Sequence, residues 1–329
     1  MTTSLRPSHP TAAVPPAGAR LLGVGAAQPD AHWTGDELGA PFGKDGAWIE
    51  ARTGIRSLRR IEKPDELGVL AQRAARDALE AAGIASDRID LVITASCSAA
   101  AGPWDTGRLA RGLAARAGHM QINAACSGFC YALSSAQALI RAGSAQHVLV
   151  VAVEQMSALV DGDDLGTSII FGDGAGAAVV GPCEPGTGAG IGPAVWGSDG
   201  DQAGLIDCGP VIGGRLQMAG RQVFRWAVES MPAIAREACA RAGVALADID
   251  VFVPHQANAR IVEAIAKKLG LTDAVVADSV RHAGNTSAAS VPIALADLAR
   301  QGRSRTGQLA LLLGFGAGLS YAGQVVVLP

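Results

Sequence analysis

The chain has 329 residues, of which 49% are apolar and 17% charged, with a net charge of −3 and an isoelectric point near 6.1. A chain of this length can bury a large core, and its slightly acidic balance argues against binding to nucleic acid. No apolar run reaches the roughly 18 residues that cross a bilayer, so no membrane association is expected. Residues 1–19 are rich in Pro and Ala and carry no apolar signal core, which predicts a flexible tail on a cytoplasmic protein.

Six cysteines lie at positions 97, 126, 130, 183, 208 and 239. They are spread through apolar segments and form neither a dense disulfide framework nor the paired motifs of a zinc site. Cys126 and Cys130 are four residues apart, but no second pair and no neighbouring histidine completes a metal site. We therefore expect no metal ion and no resident cofactor, and we expect most of these cysteines to be small core residues.

The chain contains a duplication. Residues 74–92 align without gaps with residues 234–252, and eight of the 19 positions are identical. Each copy predicts an amphipathic helix, a glycine that ends it (Gly83 or Gly243) and then a buried strand. The pattern continues with less identity, and it predicts a helix and two strands at 127–143, 147–154 and 174–181, and again at 286–301, 308–318 and 320–328.

Alternating helices and continuously apolar strands predict an α/β fold whose sheets are covered on both faces. We place the two halves at 20–181 and 182–329. Such a duplication brings the ends of related strands together, so one site can draw side chains from both halves. The strand at 147–154 is apolar without alternation, which predicts an interior position in its sheet.

The segment NAACSGFCYAL (123–133) places Cys126 where a turn of small residues meets a predicted helix. Unpaired backbone N–H groups and the helix dipole favour a thiolate at such a position, and the small residues leave the thiol accessible to a substrate. Taken alone, the segment is equally consistent with a buried cysteine in an alanine-rich turn.

Two further segments carry polar side chains next to predicted strands. His255 lies at the end of a buried strand, Asn258 is placed to cap the following helix, and Asn285 precedes a helix of small residues. Taken singly, such residues are more often structural. Together with Cys126, His255 and Asn285 form a set suited to thioester chemistry, in which the cysteine holds an acyl group and the other two stabilise an enolate oxygen.

Several spaced motifs follow one another along the chain: NAACSGFCYAL, FGDGAGAAVV (171–180), VPHQANARI (253–261), GNTSAASVP (284–292) and GFGAG (314–318), with WIEARTGIRSLRR (48–60) near the N-terminus. These motifs resemble the β-ketoacyl-acyl-carrier-protein synthase III family. The resemblance covers roughly residues 20–329 and implies a five-layered αβαβα thiolase fold, a homodimer and a ping-pong Claisen condensation that uses acyl-CoA and acyl carrier protein. In that homodimer, the strand at 147–154 is a candidate for pairing with its two-fold mate.

The resemblance implies roles for individual residues. Cys126 would be the acylated nucleophile, and its backbone N–H would form an oxyanion hole with that of Ala317. His255 and Asn285 would hold the malonyl thioester oxygen, with Phe315 packed beside them. The remaining positions that match substrate- or coenzyme-A-binding residues are Trp48, Arg52, Gly220, Arg221, Phe224 and Asn258.

Basic residues near these motifs predict a docking surface for an acidic carrier protein. Arg221 and Arg225 are four residues apart on one helix, so they share a face. The helix after His255 contributes the other candidates, Arg260, Lys267 and Lys268. Taken singly, each of these charges is more typical of a solvated helix face.

The chain departs from the family at several positions. Leu165 stands where the family often has an adenine-contacting arginine, Arg221 where it often has asparagine, and the loop AAAGPWDTG (99–107) and the sequence GAG within 314–318 also differ. These changes favour a specialised role, such as priming a polyketide, over housekeeping fatty-acid synthesis. The segment GDGAG (172–176) lacks the spacing of a dinucleotide-binding loop and predicts a tight turn near the site.

Two other functions fit the same residues less well. An acyltransferase of the same fold would pass the acyl group from Cys126 to a hydroxyl or amine. A non-catalytic ketosynthase partner would have no use for an intact set of Cys126, His255 and Asn285.

Overall fold

The computed structural model describes residues 18–63, 65–98, 112–113, 116–183, 190–208 and 214–329. The loop 99–107 and nearly all of the expected N-terminal tail lie outside the described residues. Ala19 already belongs to the first strand and is fully buried, so the expected tail boundary at residue 19 is slightly too late.

The first half of the chain contains seven strands and several helices among its described residues. The strands are β1 (Ala19–Ala27), β2 (His32–Thr34), β3 (Ser57–Arg59), β4 (Leu91–Ala95), β5 (Gly118–Ile122), β6 (Val148–Gln155) and β7 (Asp173–Pro182). The helices are α1 (Gly35–Gly39), α2 (Gly46–Thr53), α3 (Glu66–Ala82), α4 (Gly128–Arg141) and α5 (Leu165–Ser168).

The second half follows a similar plan. Its strands are β8 (Val195–Ser198), β9 (Ile206–Asp207), β10 (Gln217–Met218), β11 (Val251–Pro254), β12 (Val275–Val276), β13 (Leu309–Phe315) and β14 (Ser320–Val327). Its helices are α6 (Gly220–Ala242), α7 (Ala259–Leu269), α8 (Val280–Ala283) and α9 (Ser290–Arg300).

Two five-stranded sheets share one strand order and one pattern of directions. The first has the order β1-β7-β6-β4-β5, and the second has the order β8-β14-β13-β11-β12. In each sheet, the two strand pairs nearest β1 or β8 are antiparallel, and the other two strand pairs are parallel. The identical topology confirms the duplication that the sequence predicts.

The sheets and helices stack in five layers. The central core joins the inner faces of both sheets to α4 and α9, through residues such as Ile93, Leu133, Val291 and Leu312. Helix α3 covers the outer face of the first sheet, and α6 and α7 cover that of the second. This αβαβα arrangement confirms the predicted thiolase fold, and each fully buried aliphatic side chain stabilises it by about 1.5–3 kcal/mol relative to exposure.

The repeated helices end as the sequence predicts. Gly83 follows α3 with φ 64°, and Gly243 follows α6 with φ 71°, both in the left-handed region that glycine adopts without strain. In each half, the chain then turns through a short 3₁₀ segment into a parallel strand, β4 or β11. The duplicated segment is therefore a helix-to-strand unit that sets one layer against the next.

The predicted pairing of strand 147–154 across a two-fold axis is wrong. This strand, β6, is interior as expected, but it is hydrogen-bonded to β4 on one edge and to β7 on the other, so neither edge is free to pair with a second copy. The edge strand on that side of the sheet is β5, which pairs with β4 alone and is largely exposed. The sequence GHMQI of β5 has little apolar character, which is why the apolar pattern did not identify it as a strand.

Across the residues that the structure describes, none of the helices combines the length and the apolar character required to span a bilayer.

Candidate active site

Cys126 lies in a strained turn between β5 and α4. The turn is a 3₁₀ segment, Ala125–Ser127, whose first residue has φ 44° although it carries a Cβ. Ser287 begins the equivalent turn before α9 with φ 49°, and these are the two non-glycine residues with positive φ in the described parts of the chain. Such conformations cost of the order of 1–3 kcal/mol and are concentrated at functional sites.

A glycine loop lies directly against Cys126. A Cβ on Gly316 would stand 2.6 Å from the Cβ of Cys126 and 2.9 Å from its sulphur, so only glycine allows this approach. The backbone N–H of the next residue, Ala317, and that of Cys126 itself lie near enough to the sulphur to lower the pKa of the thiol. Both amides of the expected oxyanion hole therefore converge on the thiol.

Cys126 is partly exposed, as expected, but the thiolate expected there is not favoured in the free enzyme. Burial raises the pKa of the Cys126 thiol to about 11, and the charge of Glu154 contributes to the rise. The Ser287 hydroxyl and the two amides lower the pKa, but by less. Removing water from the charged form outweighs the helix terminus, so the free enzyme holds a protonated thiol at neutral pH.

His255 follows β11 and is only 2% exposed. Its backbone N–H donates to the carbonyl of Leu313 at 2.7 Å, and its Nδ1 lies 2.7 Å from the Ser290 hydroxyl. The edge of its ring meets Phe315 at a centroid distance of 5.3 Å, which confirms the expected packing of these two rings. Burial lowers the pKa of His255 to about 3, so the imidazole is neutral at physiological pH.

Asn285 is held by both its backbone and its side chain. Its N–H donates to Ile170 at 2.9 Å, and its carbonyl accepts from Gly172 at 3.1 Å. Its Oδ1 accepts the N–H of Ser287 at 2.9 Å, which leaves the two hydrogens of Nδ2 for a substrate. Because Ser287 also contacts the Cys126 thiol, this turn links the amide to the nucleophile.

A cavity of about 570 Å³ leads to Asn285. Apart from Phe315, every expected substrate-binding residue lies in its wall: Trp48, Arg52, Gly220, Arg221, Phe224 and Asn258. Leu165 and Arg260 also line it. Asn258 also caps α7 as expected, by accepting the N–H of Arg260 at 2.9 Å. The volume of the cavity is in the range of small-molecule sites, and its wall includes both the partly exposed Trp48, at the outer end, and the buried Asn285.

The expected basic surface is only partly assembled at this cavity. Arg221 and Arg260 line it and are exposed, but Arg225 does not reach the wall. Lys267 and Lys268 lie in the last turn of α7, whereas Arg260 is at its start, so about 10 Å of helix separates them from the opening. The two lysines therefore do not line the opening, and their part in carrier docking stays a prediction.

Several functional candidates escaped the sequence analysis. Lys44 is one of them: it lies over the Trp48 ring at 5.2 Å, and the expected Arg52 lies over the same ring at 5.3 Å, so the two concentrate positive charge at the outer end of the cavity. Ser287 and Ser290 lie inside the motif GNTSAASVP, but no local pattern indicates that their side chains face Cys126 and His255.

Glu154 was also missed, although an acid at the end of an apolar strand was a usable signal. Its fully buried carboxylate accepts the N–H groups of Cys97 at 3.2 Å, Ser98 at 3.0 Å and Ala288 at 3.4 Å. Ser96 and Ser98 add hydroxyl donors. The carboxylate thereby ties the end of β4 to the turn that carries Ser287.

The segment GDGAG (172–176) lies near the site as expected but is not a turn. Asp173 begins β7, so most of the segment is strand, and its glycines allow close packing against Ala283 and Pro292. The buried carboxylate of Asp173 accepts the N–H groups of Ile61 and Ser157, both at 2.8 Å. This strand supports Asn285 and leaves no loop for a nucleotide.

Two sheets of one topology form the five layers, and a single segment, 285–290, connects the cysteine elbow with an asparagine amide and a neutral histidine. Together these features define a thiolase-fold condensing enzyme. The sequence matches the models of 3-oxoacyl-[acyl-carrier-protein] synthase III at residues 120–200 and of the C-terminal part of that enzyme at residues 239–328.

Comparison with known proteins agrees with this class. Beta-ketoacyl-[acyl-carrier-protein] synthase III 4 of Streptomyces coelicolor is 46% identical over 95% of this chain and 99% of its own length. The priming β-ketosynthase of the R1128 polyketide pathway superposes with a TM-score of 0.90 at 42% identity, over 97% of this chain and 99% of that one. The synthase III of Pseudomonas aeruginosa gives 0.88 at 36% identity, over 95% and 98%. The chain belongs to the 3-oxoacyl-[acyl-carrier-protein] synthase III family.

Proposed function

We propose that this enzyme transfers an acyl group to Cys126 and condenses it, with loss of carbon dioxide, with a malonyl thioester on acyl carrier protein. The observation that carries the proposal is that one short segment, 285–290, holds the Asn285 amide and contacts both Cys126, through Ser287, and the neutral, buried His255, through Ser290. Two neutral N–H donors are suited to an enolate oxygen because they stabilise its charge without protonating the carbon.

The first half-reaction forms the acyl enzyme. The Cys126 sulphur loses its proton and attacks the carbonyl carbon of an acyl thioester, and the oxygen takes up negative charge between the N–H groups of Cys126 and Ala317. The carbon–sulphur bond of the donor breaks, and its thiol leaves with a proton. No resident cofactor takes part in this proposed step.

The second half-reaction forms a carbon–carbon bond. Malonyl thioester enters the same cavity, and its carbonyl oxygen accepts hydrogen bonds from His255 and Asn285. The carboxylate leaves as carbon dioxide, and the electron pair of the broken bond forms an enolate. Its carbon attacks the acyl carbonyl on Cys126, the Cys126 thiolate is expelled, and a 3-oxoacyl thioester is released.

The test follows both half-reactions in one sample. We expect incubation with an acyl-CoA or acyl-carrier donor to add one acyl mass to Cys126 alone, as located by peptide mapping, and malonyl-carrier protein to remove it with release of carbon dioxide. Cys126→Ala is the matched control and should take no label. Transfer of the acyl mass to a hydroxyl or amine without use of malonate would instead support the acyltransferase function. Label on Cys97 or Cys130, or none at all, would contradict the proposal.

Polyketide priming is the pathway role that we propose. The similarity to the R1128 priming ketosynthase supports it, and so does Leu165 in the wall of the cavity, where the family often has an arginine. An apolar side chain there offers no charge to a nucleotide, which favours a carrier protein over free coenzyme A in at least one half-reaction. The proposed location of this pathway enzyme is the cytoplasm.

Docking of the carrier should depend on Arg260. This exposed side chain lines the cavity opening, so reversing its charge removes an attraction for an acidic carrier and its phosphopantetheine phosphate. We expect Arg260→Glu to slow association of malonyl-carrier protein by about 3- to 10-fold at low salt, with a smaller defect at high salt. Stopped-flow kinetics at several ionic strengths measure this.

Lys267→Glu is the matched control for Arg260→Glu. It makes the same charge reversal on the same helix, but away from the opening. Equal defects in the two variants, or equal kinetics for carrier-bound and coenzyme-A-bound malonyl groups with Arg260→Glu unchanged, would contradict a docking site at the opening.

We also propose a homodimer in which β5 pairs with the β5 of a second copy. Its outer edge is unpaired within the described residues, and Met120 is 39% exposed on it. Met120→Lys should shift the protein toward monomer in light scattering, because the two lysines meet near the two-fold axis. Val69→Lys changes a 52% exposed side chain on α3 and should leave the mass unchanged. A wild-type monomer at micromolar concentration would contradict the dimer.

A further inference from the structure

Ser290 is the first residue of α9 and is only 1% exposed. The cap position before it is Ala289, and no side chain caps the start of α9. The Ser290 hydroxyl instead lies 2.7 Å from Nδ1 of His255, which is on the opposite segment of the site. The hydroxyl therefore bonds the histidine and does not cap its own helix.

The direction of this hydrogen bond follows from the other partner of the hydroxyl. The backbone N–H of Gln256 donates to the Ser290 oxygen at 3.3 Å. A hydroxyl has one hydrogen, and no carbonyl or carboxylate among the described residues accepts it. The hydrogen is thus free to point at His255, which makes Nδ1 the acceptor.

The opposite tautomer of His255, with its hydrogen on Nδ1, would not stabilise the enolate of the proposed reaction. With a hydrogen on Nδ1, the Ser290 oxygen would accept from both His255 and the Gln256 N–H, and its own hydrogen would have no acceptor. Nε2 would then direct a lone pair at the thioester oxygen. A neutral ring with its hydrogen on Nε2 avoids both problems, and burial keeps the ring neutral by lowering the pKa of His255.

We propose that Ser290 is a positioning residue that donates its hydroxyl hydrogen to Nδ1 of His255 and so fixes the Nε2–H tautomer that binds the malonyl thioester oxygen. The inference rests on the proposed role of His255 in condensation. The position of the ring is set independently, by the backbone bond to Leu313 and the contact with Phe315. Loss of the hydroxyl should therefore change where the proton is held more than where the ring lies.

Nitrogen NMR of protein labelled with ¹⁵N-histidine tests the tautomer directly. His255→Ala identifies the His255 signals among those of the six histidines. We expect the wild type to show a protonated Nε2 and a bare Nδ1, Ser290→Ala to show a mixture of both tautomers, and Ser290→Thr to restore the wild-type pattern. A protonated Nδ1 in the wild type, or an unchanged tautomer in Ser290→Ala, would overturn the proposal.

Kinetics then connect the tautomer to the reaction. We expect Ser290→Ala to lower kcat for malonyl decarboxylation by about 5- to 10-fold, as for the loss of one buried hydrogen bond, with acylation of Cys126 within about twofold. Ser135→Ala is the control, since its hydroxyl bonds only the Tyr131 carbonyl within α4. If acylation and decarboxylation fell together, Ser290 would be merely structural. Absence of decarboxylation in the wild type would contradict the proposed function, while the nitrogen spectra would still decide the tautomer.

Discussion

Replacing His255 or Asn285 with alanine should slow malonyl decarboxylation by about 10²–10³, the usual cost of removing one preorganised donor from a developing oxyanion. Acylation of Cys126 should change far less, because the proposed oxyanion hole of that step uses the N–H groups of Cys126 and Ala317, which both lie near the sulphur. The measurement pairs carbon dioxide release from malonyl-carrier protein with the rate at which the acyl mass appears on Cys126.

Two variants separate the loss of a donor from the loss of packing. His255→Ala also removes the ring that meets Phe315 at 5.3 Å, so part of its effect could come from a cavity. Asn285→Asp keeps the shape of the side chain and the acceptor for Ser287, but replaces the Nδ2 donor with an oxygen. We expect it to be at least as slow in decarboxylation as Asn285→Ala. Equal losses in both half-reactions would show that the division of roles is wrong.

The sequence predicted the positions of the candidate catalytic residues in the fold better than it described their surroundings. Cys126, His255 and Asn285 each stand at a junction of elements, and small residues, strand ends and a capping asparagine mark such junctions locally. Gly83 and Gly243 likewise end their helices as their positions predict. Local patterns suffice here because a helix cap is determined within a few residues.

The errors came from properties that depend on the packed structure. The place of β6 inside the sheet was correct, but its partners β4 and β7 are distant in the chain, and the exposed edge strand β5 lacks an apolar pattern. Helical spacing showed that Lys267 lies on the same helix as Arg260, but it did not show which end of that helix faces the cavity.

The pKa of Cys126 shows the same limit in chemical terms. The start of a helix is visible in the sequence, and its dipole does favour a thiolate. The removal of water from the sulphur and the buried charge of Glu154 are visible only in the structure, and together they raise the pKa to about 11. The elbow therefore holds a protonated thiol whose activation depends on conditions that sequence does not reveal.

This raised pKa predicts a steep pH dependence of acylation. The attacking species is the thiolate, and below a pKa of about 11 its fraction grows tenfold with each pH unit. At limiting donor, the acylation rate of Cys126 should therefore rise about 100-fold between pH 7 and pH 9. Decarboxylation by the preformed acyl enzyme should stay nearly constant over that range, because His255, with a pKa lowered to about 3, is neutral throughout.

The two steps can be measured separately on the same protein. Rapid mixing with an acyl donor, followed by acid quenching and mass spectrometry, gives the acylation rate, and acyl enzyme prepared beforehand gives carbon dioxide release. Alkylation of Cys126 by a small neutral electrophile supplies an independent titration of the thiol, with Cys126→Ser as the control that identifies its signal. Acylation and alkylation rates that are both flat between pH 7 and pH 9 would show that the thiolate is already formed, and that the helix dipole and the two oxyanion-hole amides outweigh burial after all.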